Sequence, residues 1–353
     1  MNPLVDNRNR LKIKTMKVNL CYFRNLKKME KTVQLNSGYT CPILGYGTLK
    51  CDDPEMLSAS LKVAIDAGYR HIDTAFIYQN EWVIGEVIAE YIKEGQIKRE
   101  DIFITTKLWG THFKPDHVRQ MFNNQLEALQ TNYIDLYLMH VPCALVKPSE
   151  DSLSLYGNFK ADETIELDTI TKIEDTWKEL ERLVEDKLVH SIGVSNFSTV
   201  QVDKLLATAK IKPAMNQVEI NPAFQNIKLV NHHQLLGIQV TGFSPFASPG
   251  SENEVKSHMN LLEDPTLIEI GRKHCKTPAQ TILRWQIQRG LCVIPKSITP
   301  ARIQENFNIW DFELTNEEMD TIKAMDFNKR QIMLSFKNLA DHPEYPYKED
   351  GSW

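Results

Sequence analysis

Three apolar runs of this chain end on polar residues that could do chemistry together. Asp73 lies in Arg70-His71-Ile72-Asp73-Thr74-Ala75, Lys107 closes Ile102-Phe103-Ile104-Thr105-Thr106, and His140 closes Ile134–Met139. Tyr78 follows Asp73 by five residues. A charge at the end of a buried run is costly unless paired, so Asp73 and Lys107 are expected to meet. A free phenol titrates at roughly 10 and is a poor acid at neutral pH. An ammonium beside it favours the phenolate and lowers that value, which would make Tyr78 a usable proton donor. His140 could orient a carbonyl oxygen and share the charge developing on it. Taken singly, the ion pair reads as structural and the histidine as a satisfied core residue. Taken together, the four groups suit protonation of an oxyanion while a hydride arrives from elsewhere.

A hydride donor needs an anion site, and Ile294-Pro295-Lys296-Ser297-Ile298-Thr299-Pro300-Ala301-Arg302 offers one. A helix is expected to start at Pro300, with free N–H groups and a favourable dipole at its beginning. Lys296 and Arg302 add cations, and Ser297 and Thr299 add hydroxyls. Two cations suit a multiply charged phosphate such as the 2′-phosphate of NADP, although such a helix start is often merely solvated. Ser195, Asn196 and Gln217 suit a carboxamide, and Phe243 offers a face for a flat ring. A phenylalanine in a strand is equally at home as simple core.

These residues need elements to hold them. From Ile43 onward, short β-rich runs alternate with amphipathic stretches, as repeated βα units do. The expected strands are Leu44–Thr48, His71–Ala75, Ile102–Leu108, Ile134–His140, His190–Asn196, Ala214–Ile220, Gln239–Phe246 and Cys292–Ser297. The expected helices are Pro54–Ala67, Glu81–Glu94, Pro115–Gln130, Ile173–Leu188, Ser198–Ala209, Ile227–Gly237, Pro278–Arg289 and Pro300–Trp310. Eight such pairs close a (β/α)8 TIM barrel, in which the strand ends converge on one rim. The first βα turn, Gly45-Tyr46-Gly47-Thr48-Leu49-Lys50, lacks the G-x-G-x-x-G of an open dinucleotide-binding sheet. Gln34–Pro42 is expected to form a hairpin plugging the opposite end. Pro142–Thr171, Ala247–Asp264 and the tail Asp326–Trp353 are expected to be long loops at the C-terminal face.

Composition sets the outer limits. The 353 residues are 42% hydrophobic and 25% charged, with 41 basic and 46 acidic side chains giving a net charge of −5. That balance supplies no bulk attraction to nucleic acid or an anionic membrane. No apolar run reaches a membrane-spanning length of about 18 residues. The cysteines Cys21, Cys41, Cys51, Cys143, Cys275 and Cys292 are scattered, without C-x-x-C, which fits reduced thiols in the cytoplasm. No clustered His/Asp set suggests a metal. The sequon Asn196-Phe197-Ser198 is read as incidental. Residues 1–28 carry Arg8, Arg10, Lys12, Lys14, Lys17, Arg24, Lys27 and Lys28 against Asp6. They are read as a basic, disordered extension, with a transit peptide as the alternative. Residues 29–353 are read as a single domain.

From about Lys31 to Trp353 the sequence resembles the aldo-keto reductase superfamily. Gly68-Tyr69-Arg70-His71-Ile72-Asp73-Thr74-Ala75 with Tyr78-Gln79-Asn80-Glu81 looks like one signature of that family. Ile192-Gly193-Val194-Ser195-Asn196-Phe197 looks like a second, and Ile294-Pro295-Lys296-Ser297 with Arg302, Glu305 and Asn306 like a third. The resemblance implies NADPH-dependent reduction of aldehydes and ketones by a monomer, with Tyr78 as proton donor supported by Asp73, Lys107 and His140. It implies that Ser195, Asn196 and Gln217 hold the nicotinamide amide and that Phe243 stacks on its ring, where many members carry Tyr. It implies adenosine-phosphate contacts from Lys296, Ser297, Ile298, Thr299, Arg302, Glu305 and Asn306. Gly47, Thr48 and Leu49 match the first cofactor loop. Ser244, Pro245, Phe246 and Ser248 match the pyrophosphate-side loop. Phe76 and Trp109 are expected to wall the substrate pocket with Val141, where many members have Trp, and the smaller side chain favours bulky carbonyls. A cofactor-binding protein without important turnover is the competing reading. A metal-dependent barrel hydrolase or isomerase is a third, for which the ligand set is missing.

Overall fold

Eight parallel strands run in consecutive order around a sheet whose ends meet. In the computed structural model, which describes residues 31–149, 157–158, 160, 164–249, 260–332 and 338–348, they are β3 (Tyr46–Gly47), β4 (His71–Asp73), β5 (Phe103–Leu108), β6 (Ile134–Met139), β7 (Val189–Ser195), β8 (Met215–Glu219), β9 (Gln239–Phe243) and β10 (Cys292–Val293). A parallel bridge between Leu44 and Val293 joins the two edges. The Gly45 N–H donates to Val293 O at 2.9 Å, and the Gly47 N–H to Pro295 O at 3.0 Å. The architecture is therefore the expected (β/α)8 barrel. Every residue of β5 and β6 is buried, because helices cover the outer face while side chains fill the inside.

The covering helices are α1 (Pro54–Ala67), α2 (Glu81–Lys93), α3 (Pro115–Ala128), α4 (Ile173–Glu185), α5 (Thr199–Leu206), α6 (Ile227–Leu235), α7 (Pro265–Lys273), α8 (Pro278–Gln288), α9 (Pro300–Phe307) and α10 (Asn316–Lys323). Ser198 caps α5 and Thr277 caps α8, each in a reciprocal box with a glutamine three residues on. Ile173, Trp177, Leu180 and Leu183 of α4 are buried as a stripe against the barrel.

Among the described residues, two helices, α7 and α10, go beyond those expected from the sequence. Asp264, taken as the end of a loop, caps α7 by accepting from the N–H groups of Thr266 and Leu267, with Pro265 at the first turn. Thr315 and Glu318 form a capping box that starts α10. Most of the barrel strands are shorter than expected, the first and the last clearly so. Leu44 lies in the closing bridge rather than in a continuous strand with β3. β10 stops before Pro295, which has no N–H to give a neighbouring strand.

The hairpin forms as β1 (Thr32–Gln34) against β2 (Thr40–Pro42), turning through Gly38 at φ 89°. Its tip is tied to the chain just before β8 and β9 and to the start of β7. Asn36 Nδ2 donates to Pro213 O and Gly237 O, and Ser37 Oγ bonds Ser191 Oγ at 2.7 Å. The plug therefore closes the N-terminal mouth.

The tail is fastened to the opposite side. His342 Nε2 bonds Asp168 O at 3.0 Å, Asn338 Nδ2 donates to Ile165 O at 2.9 Å, and Gln201 Nε2 donates to Glu344 O at 2.8 Å. The insertion after β6, helix α5 and the tail thus support one another. The basic extension at residues 1–28, most of Ala247–Asp264 and parts of the other two insertions lie outside the described residues. Cys41, Cys51, Cys143, Cys275 and Cys292 are free thiols.

Candidate active site

β4 and β5 are adjacent, with Asp73 in register with Thr105, so Lys107 reaches the rim beside the Asp73 carboxylate. Lys107 is wholly buried, and its Nζ donates to Asp73 Oδ1 at 2.7 Å and to Thr74 O at 2.7 Å. At 3.4 Å from the same nitrogen lies Tyr78 Oη, carried by a 3-10 turn, Phe76–Tyr78, that directly follows β4. Burial alone would push the Lys107 ammonium down, but Asp73 and Tyr78 more than offset this and hold it above its usual value.

The expectation for the Tyr78 phenol needs correction. Burial pushes it up, and the lowering by Lys107 does not fully cancel that, because Asp73 adds its own negative field. The net direction is upward, so the phenol keeps its proton at neutral pH. Lys107 still makes it a stronger acid than the same buried phenol would be alone.

His140 ends the β6 run, and its ring meets that of Tyr78 edge-on with centroids 5.7 Å apart. The Trp109 ring also meets it edge-on, with centroids 5.3 Å apart. Burial, and then the Lys107 charge, hold His140 well below the ordinary imidazole value, so the ring is neutral. Its Nδ1 is buried and has no hydrogen-bond partner among the described residues.

The three residues expected to hold a carboxamide lie together but are already bonded. Ser195 Oγ donates to Gln217 O at 2.8 Å, and Gln217 Nε2 donates to Asp73 Oδ2 at 2.6 Å. Asn196 sits in the left-handed region at φ 62°, a conformation asparagine tolerates, just past the end of β7. Its Nδ2 donates to His140 O at 2.9 Å and Ser195 Oγ at 3.1 Å.

Phe243 closes β9 half-buried, and the loop after it holds Ser244, Ala247 and Ser248 all at positive φ. Pro245 is buried and Phe246 half-buried in that loop, and Ser248 Oγ donates to Ser244 Oγ at 3.3 Å.

At the other end of the rim, Gly47 is pressed against the strand after it. A Cβ there would stand 3.0 Å from Ile294 O and 3.6 Å from Lys296 Cβ. Thr48 is buried with Oγ1 donating to Asp73 O, while Leu49 is exposed. Lys296, Ser297 and Ile298 are half-buried, and Thr299 and Arg302 are exposed. Ser297 Oγ accepts from the Thr299 N–H, and no side chain caps α9. Glu305 accepts from Thr277 Oγ1 at 2.9 Å, and Asn306 is buried. The α9 start thus retains uncapped N–H groups beside two cations.

Of the expected pocket walls, Phe76, Trp109 and Val141 are 7%, 4% and 1% exposed. Val141 is covered, so its small size does not by itself open space. Among the described residues no cluster of three His, Cys, Asp or Glu could hold a metal, and no helix is long and apolar enough to cross a membrane.

The sequence reading missed Thr74, whose carbonyl completes the Lys107 cradle, and Glu219, a wholly buried carboxylate ending β8. Glu219 could have been flagged as a charge inside an expected buried strand, flanked by Val218 and Ile220.

The sequence model of the aldo/keto reductase family matches residues 43–326. Rat aldo-keto reductase family 1 member C15 is 41% identical over 328 residues, covering 92% of this chain and 99% of that protein. Human aldo-keto reductase family 1 member A1 is 39% identical, covering 90% of this chain and 98% of that protein. The structure of the aldose reductase from Schistosoma japonicum superposes with a TM-score of 0.82 at 42% identity, covering 91% of this chain and 99% of that one.

Proposed function

The chain belongs to the aldo/keto reductase family, and from that premise we propose that it reduces aldehydes and ketones to alcohols with NADPH. The observation that carries the reading is the Lys107 ammonium lying 2.7 Å from Asp73 and 3.4 Å from the Tyr78 hydroxyl at the barrel mouth.

The residues present fit the cofactor. An uncapped helix start flanked by Lys296 and Arg302 suits phosphate, including a 2′-phosphate, and neither cation has an ion-pair partner among the described residues. Gly47 lets the first βα turn pack against the backbone at Ile294, beside Lys296. Gln217, Ser195 and Asn196 supply amide and hydroxyl groups beside Asp73, and Phe243 a half-buried ring at the end of β9. When bound, NADPH supplies the hydride for the carbonyl carbon.

The chain's own residues handle the oxygen. Neutral His140 faces Tyr78 and can donate a hydrogen bond to the carbonyl oxygen. Tyr78 transfers its hydroxyl proton to that oxygen, and the resulting phenolate is balanced by Lys107. Asp73 keeps Lys107 charged throughout. The enzyme is read as a cytoplasmic monomer with residues 29–353 as its catalytic domain, and the free thiols suit that compartment.

The test is NADPH oxidation with a panel of aldehydes and ketones. Turnover of several carbonyls supports the reading. Tight NADPH binding without turnover of any would favour a cofactor-binding protein.

A further inference from the structure

A buried carboxylate at the end of β8 fastens the tail beside the site. Glu219 is wholly buried and accepts backbone N–H bonds from Gln331 at 3.0 Å and Ile332 at 2.9 Å, more than a hundred residues further on. Asn221 Nδ2 adds a bond at 3.2 Å. Arg330, the residue before that pair, stands 3.9 Å from Glu219 and is itself buried. Its guanidinium contacts two rings, 4.5 Å from the centroid of Phe224 and 3.8 Å from that of Tyr347. The Tyr347 hydroxyl then donates to Asn196 Oδ1 at 3.1 Å.

Asn196 is thereby held at both ends of its amide. The oxygen accepts from the tail, while the nitrogen bonds His140 O and Ser195 Oγ. Its left-handed backbone gives it reason to need such fixing. Without a donor on Oδ1, the amide could rotate and release the two contacts that join the ends of β6 and β7.

We propose that Tyr347 is a positioning residue, seated by Glu219 and Arg330, whose hydroxyl fixes the Asn196 amide and so aligns the cofactor-amide site with His140. This rests on the carbonyl-reductase reading above. The tail is then a working part of the site, coupled to it through one hydroxyl.

The decisive variant is Tyr347→Phe, which keeps the ring over Arg330 and removes only the hydroxyl. In the full-length protein with NADPH and an aromatic aldehyde, kcat/KM is expected to fall by about three- to ten-fold, the value of one hydrogen bond. The NADPH dissociation constant, read by quenching of protein fluorescence, is expected to rise in step, with the melting temperature lowered by no more than a few degrees. Arg330→Met is expected to give the same kinetic defect, and the double variant no more than the worse single one. Hydrogen exchange in the peptide spanning 195–198 is expected to quicken in both. Wild-type kinetics and NADPH affinity in Tyr347→Phe, or additive losses in the double variant, would overturn the proposal. If the wild-type chain proves inactive, the reductase reading fails by itself, and exchange at 195–198 still decides whether Tyr347 holds Asn196.

Discussion

Gln217 Nε2 donates to Asp73 Oδ2 at 2.6 Å, joining residues 144 positions apart across the barrel mouth. The other oxygen of the same carboxylate holds Lys107 at 2.7 Å. One buried carboxylate therefore connects the group expected to bind the cofactor amide with the ammonium expected to serve the proton donor. A disturbance at either is felt at the other, because Asp73 has no solvent to absorb it.

Asp73→Asn should separate charge from shape. The amide keeps the shape and one acceptor oxygen, but its NH2 would face a donor where the second carboxylate oxygen now accepts, and the lost negative charge leaves the buried Lys107 ammonium without its counter-ion. We expect kcat to fall at least ten-fold, with a loss of roughly 3–5 kcal/mol in stability. Steady-state kinetics and urea denaturation check both. A variant of wild-type stability would mean that the pair carries little of the charge balance.

Tyr78→Phe should lower turnover by about 10²–10⁴-fold while leaving NADPH affinity intact. The pH profile carries a sign. Burial raises the Tyr78 phenol, so it remains a proton donor at neutral pH. Carbonyl reduction should decline as alkaline pH removes that proton, whereas alcohol oxidation, which needs the phenolate, should rise. Parallel profiles in the two directions would argue against Tyr78 as the proton carrier.

Arg302→Met should weaken NADPH by about ten-fold and leave NADH nearly unchanged, since only the former carries a 2′-phosphate. Isothermal titration with each cofactor measures this. Equal losses would place Arg302 elsewhere than at that phosphate.

His233 should make the barrel sensitive to acid. It is wholly buried, with Nδ1 bonded to Leu229 O and Nε2 to Asn216 Nδ2, both at 2.8–2.9 Å. Burial lowers it from 6.5 to about 4. The unfolded chain therefore binds a proton that the folded chain refuses, and stability present above pH 6.5 is lost as pH falls towards 4. The loss should approach roughly 3 kcal/mol below that point. Denaturant unfolding of wild type and His233→Gln across this window should show a steeper pH slope in the wild type, and identical slopes would refute the assignment.

Much of this protein was legible along the chain. The alternation of apolar runs with amphipathic stretches gave the barrel, because strand and helix periods are local properties. Asp73, Lys107 and His140 were visible because they fall together at the ends of neighbouring expected strands, although each taken singly reads as structural. The caps at Ser198 and Thr277 join residues three apart, so they too are local properties. The cap at Asp264 was also present, yet α7 was overlooked inside a stretch read as one long loop.

Only the folded chain decided the rest. Lys107 is able to acidify Tyr78, but whether it outweighs the burial of that phenol depends on what surrounds both. The covering of Val141, the bond from Gln217 to Asp73 and the reach of Tyr347 to Asn196 join residues with no local relation. Sequence pattern records which side chains seek burial and at what period. Which donor meets which acceptor is fixed only when the barrel closes and excludes the water that would otherwise have served each of them.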